Sequence, residues 1–268
     1  MANLYFAEEL DEGEFIAGAT LEVVGDEARH AVKVSRLRLG ERISVGNGSG
    51  AIGSGEVVSL DRDRFSVRLD EARVEPLPAR PIVLVQALAK GDRDERAVEQ
   101  ATEFGVDLVM PWQAARSVSR WDGEDGEKSR KGLAKWRRIA REASKQSLRP
   151  RIPMVAGPVT IQDICAWAGA GAVVIALHPE GDHALSAFAR EELAARFAVD
   201  PAPDDSAWGD PVRGVFVVVG PEGGFAEEEL EALRAAGGHV LVLGDTVLRT
   251  SSAGPAALAV LATALGRW

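Results

Sequence analysis

The chain has a single cysteine, Cys165, among 268 residues. This excludes an intramolecular disulfide framework and a thiolate zinc cluster. It is short of positive charge: 31 Lys and Arg stand against 41 Asp and Glu, a formal net charge of −10. Taken as an average, that balance disfavours a polyanionic partner. Met1 to Glu9 carries acids early and no basic segment followed by an apolar core, so no secretory leader and a cytoplasmic location are expected. The longest charge-free run, Thr250 to Gly266, contains Thr, Ser, Gly and Pro, and predicts a buried segment rather than a membrane span. There is no fixed-period repeat and no low-complexity tract. There is no GxxxxGK[ST] loop for a P-loop NTPase, and no GxSxG elbow. Gly48 to Gly53 matches GxGxxG, but strand-like Glu56–Leu60 follows it where a dinucleotide site needs a helix, so a glycine-rich hairpin is expected. His178 and His183 do not share a helix face, and no metal site is expected.

What is present describes an ordinary globular chain, 46% apolar and 27% charged, long enough to bury a core without staples. Residues 1–75 read as β-rich, with strands at Leu21–Val24, Arg42–Val45, Gly55–Leu60 and Arg64–Leu69, and a short helix at His30–Leu39. Pro76, Pro78 and Pro81 mark a linker over 76–81. From residue 82 to 268 the pattern turns to apolar strands alternating with helices. Strands are predicted at Ile82–Leu88, Val106–Trp112, Ala172–Leu177, Val215–Val219 and His239–Leu243, which indicates a mostly parallel α/β sheet. Helices are predicted after Asp92, capped by Asp92 with Glu95 as a capping box, and over Ser129–Ser147, His183–Phe197 and Glu227–Ala236. Val199–Gly214 reads as an acidic surface loop.

The charge is uneven. Arg116 to Arg151 holds 12 basic residues and 5 acids, so the rest of the chain carries a net −17. A smaller island runs from Arg29 to Arg42. Such islands fit either a nucleic-acid contact or solvated faces balanced by nearby carboxylates.

Two segments carry chemistry. Gly220-Pro221-Glu222-Gly223-Gly224-Phe225 follows the strand Val215–Val219. Glycines at a parallel strand's C-terminal end let a ligand approach the backbone, and such ends are where open α/β sheets bind ligands. Leu243-Gly244 through Gly254 follows the next strand and brings Arg249 and several hydroxyls to the same end of the sheet. A lone guanidinium beside the apolar segment 255–265 calls for a partner.

Together with Lys90-Gly91-Asp92-Arg93, Ala101–Gly105, Arg116-Ser117-Val118 and Lys145–Arg149, these segments resemble the RsmE family of SPOUT-class methyltransferases over nearly the whole chain. The resemblance implies methyl transfer from S-adenosylmethionine to N3 of uridine 1498 in 16S rRNA. It implies a PUA-like RNA-binding β-barrel domain at 1–75, a SPOUT domain at 82–268 with a parallel sheet and a C-terminal trefoil knot, and a homodimer. Leu177, His178, Val219, Gly220, Glu222, Gly223, Gly224, Leu243, Gly244, Val247, Leu248 and Ala253 would line the cofactor site. Arg249 and Thr250 would face the reacting uridine, with Glu222 a weak candidate for proton acceptor. His30, Lys33, Arg36, Arg38, Lys90, Arg93, Arg116, Arg137, Arg138, Arg141, Gln146 and Arg149 would contact 16S rRNA or the small ribosomal subunit. The sequence departs from the family at Ser251, often Glu; at Lys145, commonly Glu; at Leu148, a Gly; and at Ala226, usually a capping Ser. A SPOUT enzyme acting on another base, a non-catalytic rRNA-binding assembly protein, and a nucleotide-dependent oxidoreductase are the alternatives, the last without its glycine fingerprint.

Overall fold

The computed structural model describes residues 3–78, 80–121, 126–199 and 214–268. The acidic segment expected over 199–214 lies outside the described residues, except at its two ends. The chain divides into two compact units: Met1–Leu77 with Arg141–Ile152, and Pro78–Ala140 with Pro153–Trp268.

The first unit is built on a five-stranded sheet of β1 (Leu4–Phe6), β2 (Thr20–Val24), β3 (Arg42–Gly46), β4 (Ala51–Leu60) and β5 (Arg64–Val74), in the order β1-β3-β4-β5-β2. The β1–β3 pair is parallel and the others are antiparallel. Alternation sets which face is buried: Leu21 and Val23 of β2 and Phe65, Val67 and Leu69 of β5 point inward, and their neighbours are more exposed. Tyr5 meets Phe65 edge to face at 5.5 Å in this core. The β4–β5 register shifts at Ser54/Gly55, where a Cβ on Gly55 would lie 2.0 Å from the Arg68 carbonyl oxygen. Only glycine fits that bulge. Gly48 and Gly50 turn the β3–β4 hairpin with positive φ, as the hairpin reading of Gly48–Gly53 expects.

Helix α1 spans Gly25–Lys33 rather than His30–Leu39. Asp26 and Glu27 sit in its first turn, where carboxylates favour a helix start, and Ala28 and Ala31 are its buried face. Arg36, at φ 54°, lies beyond its end.

The second unit is a seven-stranded sheet in the order β10-β12-β9-β11-β6-β7-β8, every pairing parallel. Its strands are β6 (Ile82–Ala87), β7 (Leu108–Trp112), β8 (Met154–Val155), β9 (Val173–Leu177), β10 (His183–Ala184), β11 (Val215–Val219) and β12 (His239–Val242). The central β6, β9 and β11 are almost wholly buried, as expected of strands that are apolar throughout but for Gln86 of β6. Its helices are α2 (Arg93–Glu103), α3 (Glu127–Gln146) as far as Ala140, α4 (Ile161–Gly169), α5 (Leu185–Phe188), α6 (Ala194–Val199), α7 (Glu227–Ala235) and α8 (Thr250–Ala264). One π-turn, Ala189–Leu193, joins α5 to α6, so the helix expected over His183–Phe197 opens as an edge strand and continues irregularly. The capping box expected at Asp92 and Glu95 does not form. Asp92 pairs with Arg96 at 3.0 Å, Glu95 pairs with Lys135 at 2.5 Å, and Asp94 takes the Ala89 and Glu95 N–H groups instead.

Candidate active site

The strands β9, β11 and β12 end close together, and the loops that leave them wall a cavity of about 720 Å³. Leu177 and His178 come from the end of β9, Val219 to Phe225 from β11, and Val242 to Gly244 from β12. Thr246 to Thr250 and Ala253, at the entrance to α8, complete the wall with Arg93 and Arg116. All twelve residues expected around a cofactor, and both residues expected at the reacting base, therefore line one cavity. Pro179, Pro221, Phe225, Val242 and Thr246 line it too. Pro221, Phe225 and Thr246 stand inside the two segments singled out for chemistry, whereas Pro179 and Val242 merely adjoin expected residues, and proximity in sequence was their only signal.

The glycine loop follows from close approach. Gly224 turns with φ 70° and donates its N–H to the Pro221 carbonyl at 2.9 Å. A Cβ on Gly220 would lie 3.1 Å from the Phe225 ring, and one on Gly223 would lie 3.1 Å from the Arg116 Cβ. Beneath the loop, Trp112 donates its indole N–H to the Val219 carbonyl at 3.0 Å, and its ring lies 5.5 Å from that of Phe225. Glu229 of α7 is buried and accepts from the Ala115 N–H at 2.7 Å and the Ala226 N–H at 2.8 Å. The helix start that lacks a capping Ser is thus closed by the carboxylate three residues on, which also ties down the segment carrying Arg116.

Charge is arranged around the same loop. Glu222 accepts from Arg93 Nη1 at 2.6 Å and from the Lys90 N–H at 3.0 Å. Burial would raise its pKa, but the Arg93 hydrogen bond, the backbone donors and the Arg93 charge together hold it below the usual carboxylate range. Arg116 donates to the Gly223 carbonyl at 3.1 Å. Arg249 is exposed at the cavity wall, and no hydrogen bond or ion pair engages its side chain among the described residues. The partner anticipated for this cation is absent among the described residues, and Arg249 lines the cavity. Thr250 behaves differently. It is buried, its hydroxyl accepts from Gln86 Nε2 at 2.8 Å, and it donates to the Gly220 carbonyl at 2.7 Å.

The residues expected to touch RNA fall into separate groups. Lys90, Arg93 and Arg116 belong to the glycine loop and cavity rim just described. Within the second unit, Arg138 is exposed, and Arg137 donates to the Val155 carbonyl at 3.2 Å. Within the first unit, His30, Lys33, Arg36, Arg38 and Gln146 are exposed or nearly so, and Arg149 is half-buried. Arg141 is drawn into a cluster, 2.7 Å from Glu8 and 3.0 Å from Glu27, over the Phe6 ring. Lys145 joins it at 2.9 Å from Glu27. Among the described residues no group of three or more His, Cys, Asp or Glu could hold a metal ion, and no helix is long and apolar enough to cross a membrane.

Comparison with known proteins adds the following. A family described as the RNA methyltransferase domain matches residues 75–262, and one described as the RNA methyltransferase PUA domain matches residues 25–70. A ribosomal RNA small subunit methyltransferase E from Mycobacterium tuberculosis is 36% identical over 272 aligned residues, covering 100% of this chain and 94% of its own. The protein of the same name from Bacillus subtilis is 30% identical, covering 93% of this chain and 91% of its own. A Legionella pneumophila structure in complex with the cofactor SAM is 26% identical with a TM-score of 0.74, covering 98% of each chain. The fold is also that of a Neisseria gonorrhoeae ribosomal RNA small subunit methyltransferase E bound to S-adenosyl methionine, at 23% identity and a TM-score of 0.74 over 98% of each chain.

Proposed function

Because the chain belongs to the ribosomal RNA small subunit methyltransferase E family, we propose that it methylates N3 of uridine 1498 in 16S rRNA, with its cofactor in the cavity at the ends of β9, β11 and β12. It is an S-adenosylmethionine-dependent rRNA methyltransferase with an α/β SPOUT fold and an N-terminal PUA domain. The finer reading adds a knotted C-terminal segment, a homodimer and a cytoplasmic location.

The cavity suits such a cofactor. Leu177, Val219, Leu243, Val247 and Leu248 offer apolar surface to a nucleoside, and Gly220, Gly223, Gly224 and Gly244 leave the backbone open to its polar edges. When bound, the sulfonium supplies an electrophilic methyl group. The chain's own contribution is position and electrostatics.

Uridine N3 bears a proton in the neutral base, and its loss leaves negative charge on the ring. Arg249, unpaired among the described residues and lining the cavity, stabilises that charge as it develops. Glu222 is already held anionic by Arg93 and Lys90, which makes it a poor base. Activation therefore rests on Arg249 stabilising the anion, while a water molecule at the open cavity takes the N3 proton and passes it to solvent. The observation that carries the reading is the convergence of segments 177–178, 219–225 and 242–253 on one cavity beside Arg249, which is unpaired among the described residues.

The test is mass spectrometry of 16S rRNA from cells lacking the gene. The proposal expects 3-methyluridine at position 1498 to vanish, to return with the wild-type gene, and not to return with Arg249→Ala. An unaltered level would overturn the assignment, and loss of a different modified base would redirect it to another position.

A further inference from the structure

Gln86 is fully buried at the end of β6, in register with Val219 of β11. It is the polar residue in an otherwise apolar strand, Ile-Val-Leu-Val-Gln-Ala. A buried amide in that setting is costly unless its hydrogen bonds are made. Its Nε2 donates to Thr250 Oγ1 at 2.8 Å and to the Ala87 carbonyl at 3.2 Å. Its Oε1 has no partner among the described residues. Thr250 relays the contact by donating to the Gly220 carbonyl at 2.7 Å. The relay thus joins three segments far apart in sequence: the end of β6, the first residue of the glycine loop, and the first residue of α8. Arg249, the N-cap of α8, immediately precedes it.

Packing leaves α8 little freedom at this point. A Cβ on Gly254 would lie 2.8 Å from Leu84 Cδ1, so the helix is pressed against β6 one turn further on. Contact with aliphatic side chains sets its distance but tolerates sliding along the strand. Two short directional hydrogen bonds do not.

We infer that Gln86 and Thr250 form a latch that sets Arg249 relative to the glycine loop, so that Gln86 is a positioning residue for methyl transfer although it does not line the cavity. The inference rests on the role proposed above for Arg249. In it the Thr250 hydroxyl is a structural relay rather than a group that touches uridine. Its one donor hydrogen and one of its lone pairs are engaged within the fold, and it is buried.

The test uses the full-length protein in single-turnover methyl transfer to small ribosomal subunits, with cofactor affinity measured by calorimetry. Thr250→Val keeps the shape and removes both bonds. Thr250→Ser keeps both. Gln86→Met keeps the length and removes the donor. A guanidinium displaced by a fraction of an ångström loses its hold on the transition state, so Thr250→Val is expected to slow transfer by at least about 10-fold, with cofactor affinity within about threefold. Thr250→Ser should restore the rate, and Gln86→Met should fall between.

The discriminating measurement repeats these changes in an Arg249→Ala background. A latch acting through Arg249 should then cost less than about twofold. Equal losses in both backgrounds, or a loss confined to cofactor affinity, would overturn the inference. If Thr250→Val does not fold, Gln86→Met and Thr250→Ser decide it by the same comparison. A slow Arg249→Ala beside a full-rate Gln86→Met sinks the latch alone. A full-rate Arg249→Ala sinks the proposed role of Arg249, and the latch with it.

Discussion

Leu148 follows α3 with φ 56°, in the left-handed region that L side chains other than Asn and Asp rarely enter. It stands where the family resemblance has a glycine, and its side chain is exposed, so little burial compensates the strain. Leu148→Gly should raise the unfolding free energy by about 0.5–1 kcal/mol, the left-handed penalty less the entropy of the added glycine. Urea denaturation measures this, and a loss of stability would mean the position is relaxed. The neighbouring departure, Lys145, has a different explanation: its ammonium lies 2.9 Å from Glu27, which also receives Arg141. Burial pushes the Glu27 pKa up, but the Lys145 and Arg141 contacts outweigh it and hold the carboxyl below its ordinary value. Its contribution to stability is therefore present above the ordinary pKa of 4.5 and is lost as pH falls through the lower folded value. Asp94 has the opposite sign. Burial raises it to about 6 despite the Ala89 and Glu95 donors. Its contribution is complete below the ordinary value of 3.8 and declines as pH rises through about 6. Asp94→Ala should therefore flatten the stability profile between roughly pH 4 and 7, by up to about 2–3 kcal/mol. Thermal melts across that range provide the check, and an identical slope in the variant would refute it.

At the level of elements, Gly132 sits inside the long helix α3, where Ala would ordinarily be preferred by about 1 kcal/mol. Here a Cβ would lie 2.4 Å from the Trp121 ring, which packs edge-on against Trp136 with centroids 5.4 Å apart. The missing side chain is a notch for an indole. Gly132→Ala should reverse the usual sign and destabilise the protein by about 1–3 kcal/mol, with a shift in tryptophan emission. A stabilised variant would show that the ring yields freely. Trp121 also donates its backbone N–H to Gln113 at 3.1 Å, so the same notch steadies the segment that carries Arg116. Much of this layer was legible beforehand. The apolar runs of β9 and β11, and of β6 but for Gln86, announced a parallel sheet, and the expected segments at their ends do converge on the cavity. The elements that escaped notice are short or weakly patterned. β1 has three residues and β8 two, too few for alternation to register. The nine-residue α4 is strongly apolar, although Thr160 and Asp163 form a capping box that could have marked its start. The start of α1 is set by its acids, Asp26 and Glu27, whereas the stretch 34–39 of the expected helix lies beyond its end. Gln86 was hidden by its own strand: nothing in a single polar letter within an apolar run says that its partner is 164 residues away.

For the molecule as a whole, the net charge of −10 conceals two basic islands, and the structure sorts their cations into two kinds. Lys131 pairs with Glu127, Lys135 with Glu95, and Arg141 and Lys145 with Glu27. These cations are balanced within the fold. Lys33, Arg36, Arg38 and Arg138 are exposed, and among the described residues no carboxylate pairs with their side chains. Replacing these four with Gln should reduce the salt dependence of RNA binding by about 0.7 in log–log slope for each phosphate no longer neutralised. Arg141→Gln should instead lower stability and leave the slope nearly unchanged. The reverse outcome would return Arg141 to the RNA-contacting set.

The register of the larger sheet carries one more consequence, in time. Its central pair sets Ile82 beside Val215, whereas the hairpins β3–β4 and β4–β5 of the smaller sheet close over short turns. Long loops must be closed before their contacts stabilise anything, so such pairings form slowly. All the tryptophans among the described residues lie in the unit with the larger sheet, and the single tyrosine, Tyr5, lies in the core of the other. The two halves are therefore labelled with different natural chromophores. In stopped-flow refolding, far-ultraviolet ellipticity should recover a fast component to which tryptophan emission is blind, followed by a slow one in which both signals move together. One shared rate for both probes would mean that the small sheet waits for the large one.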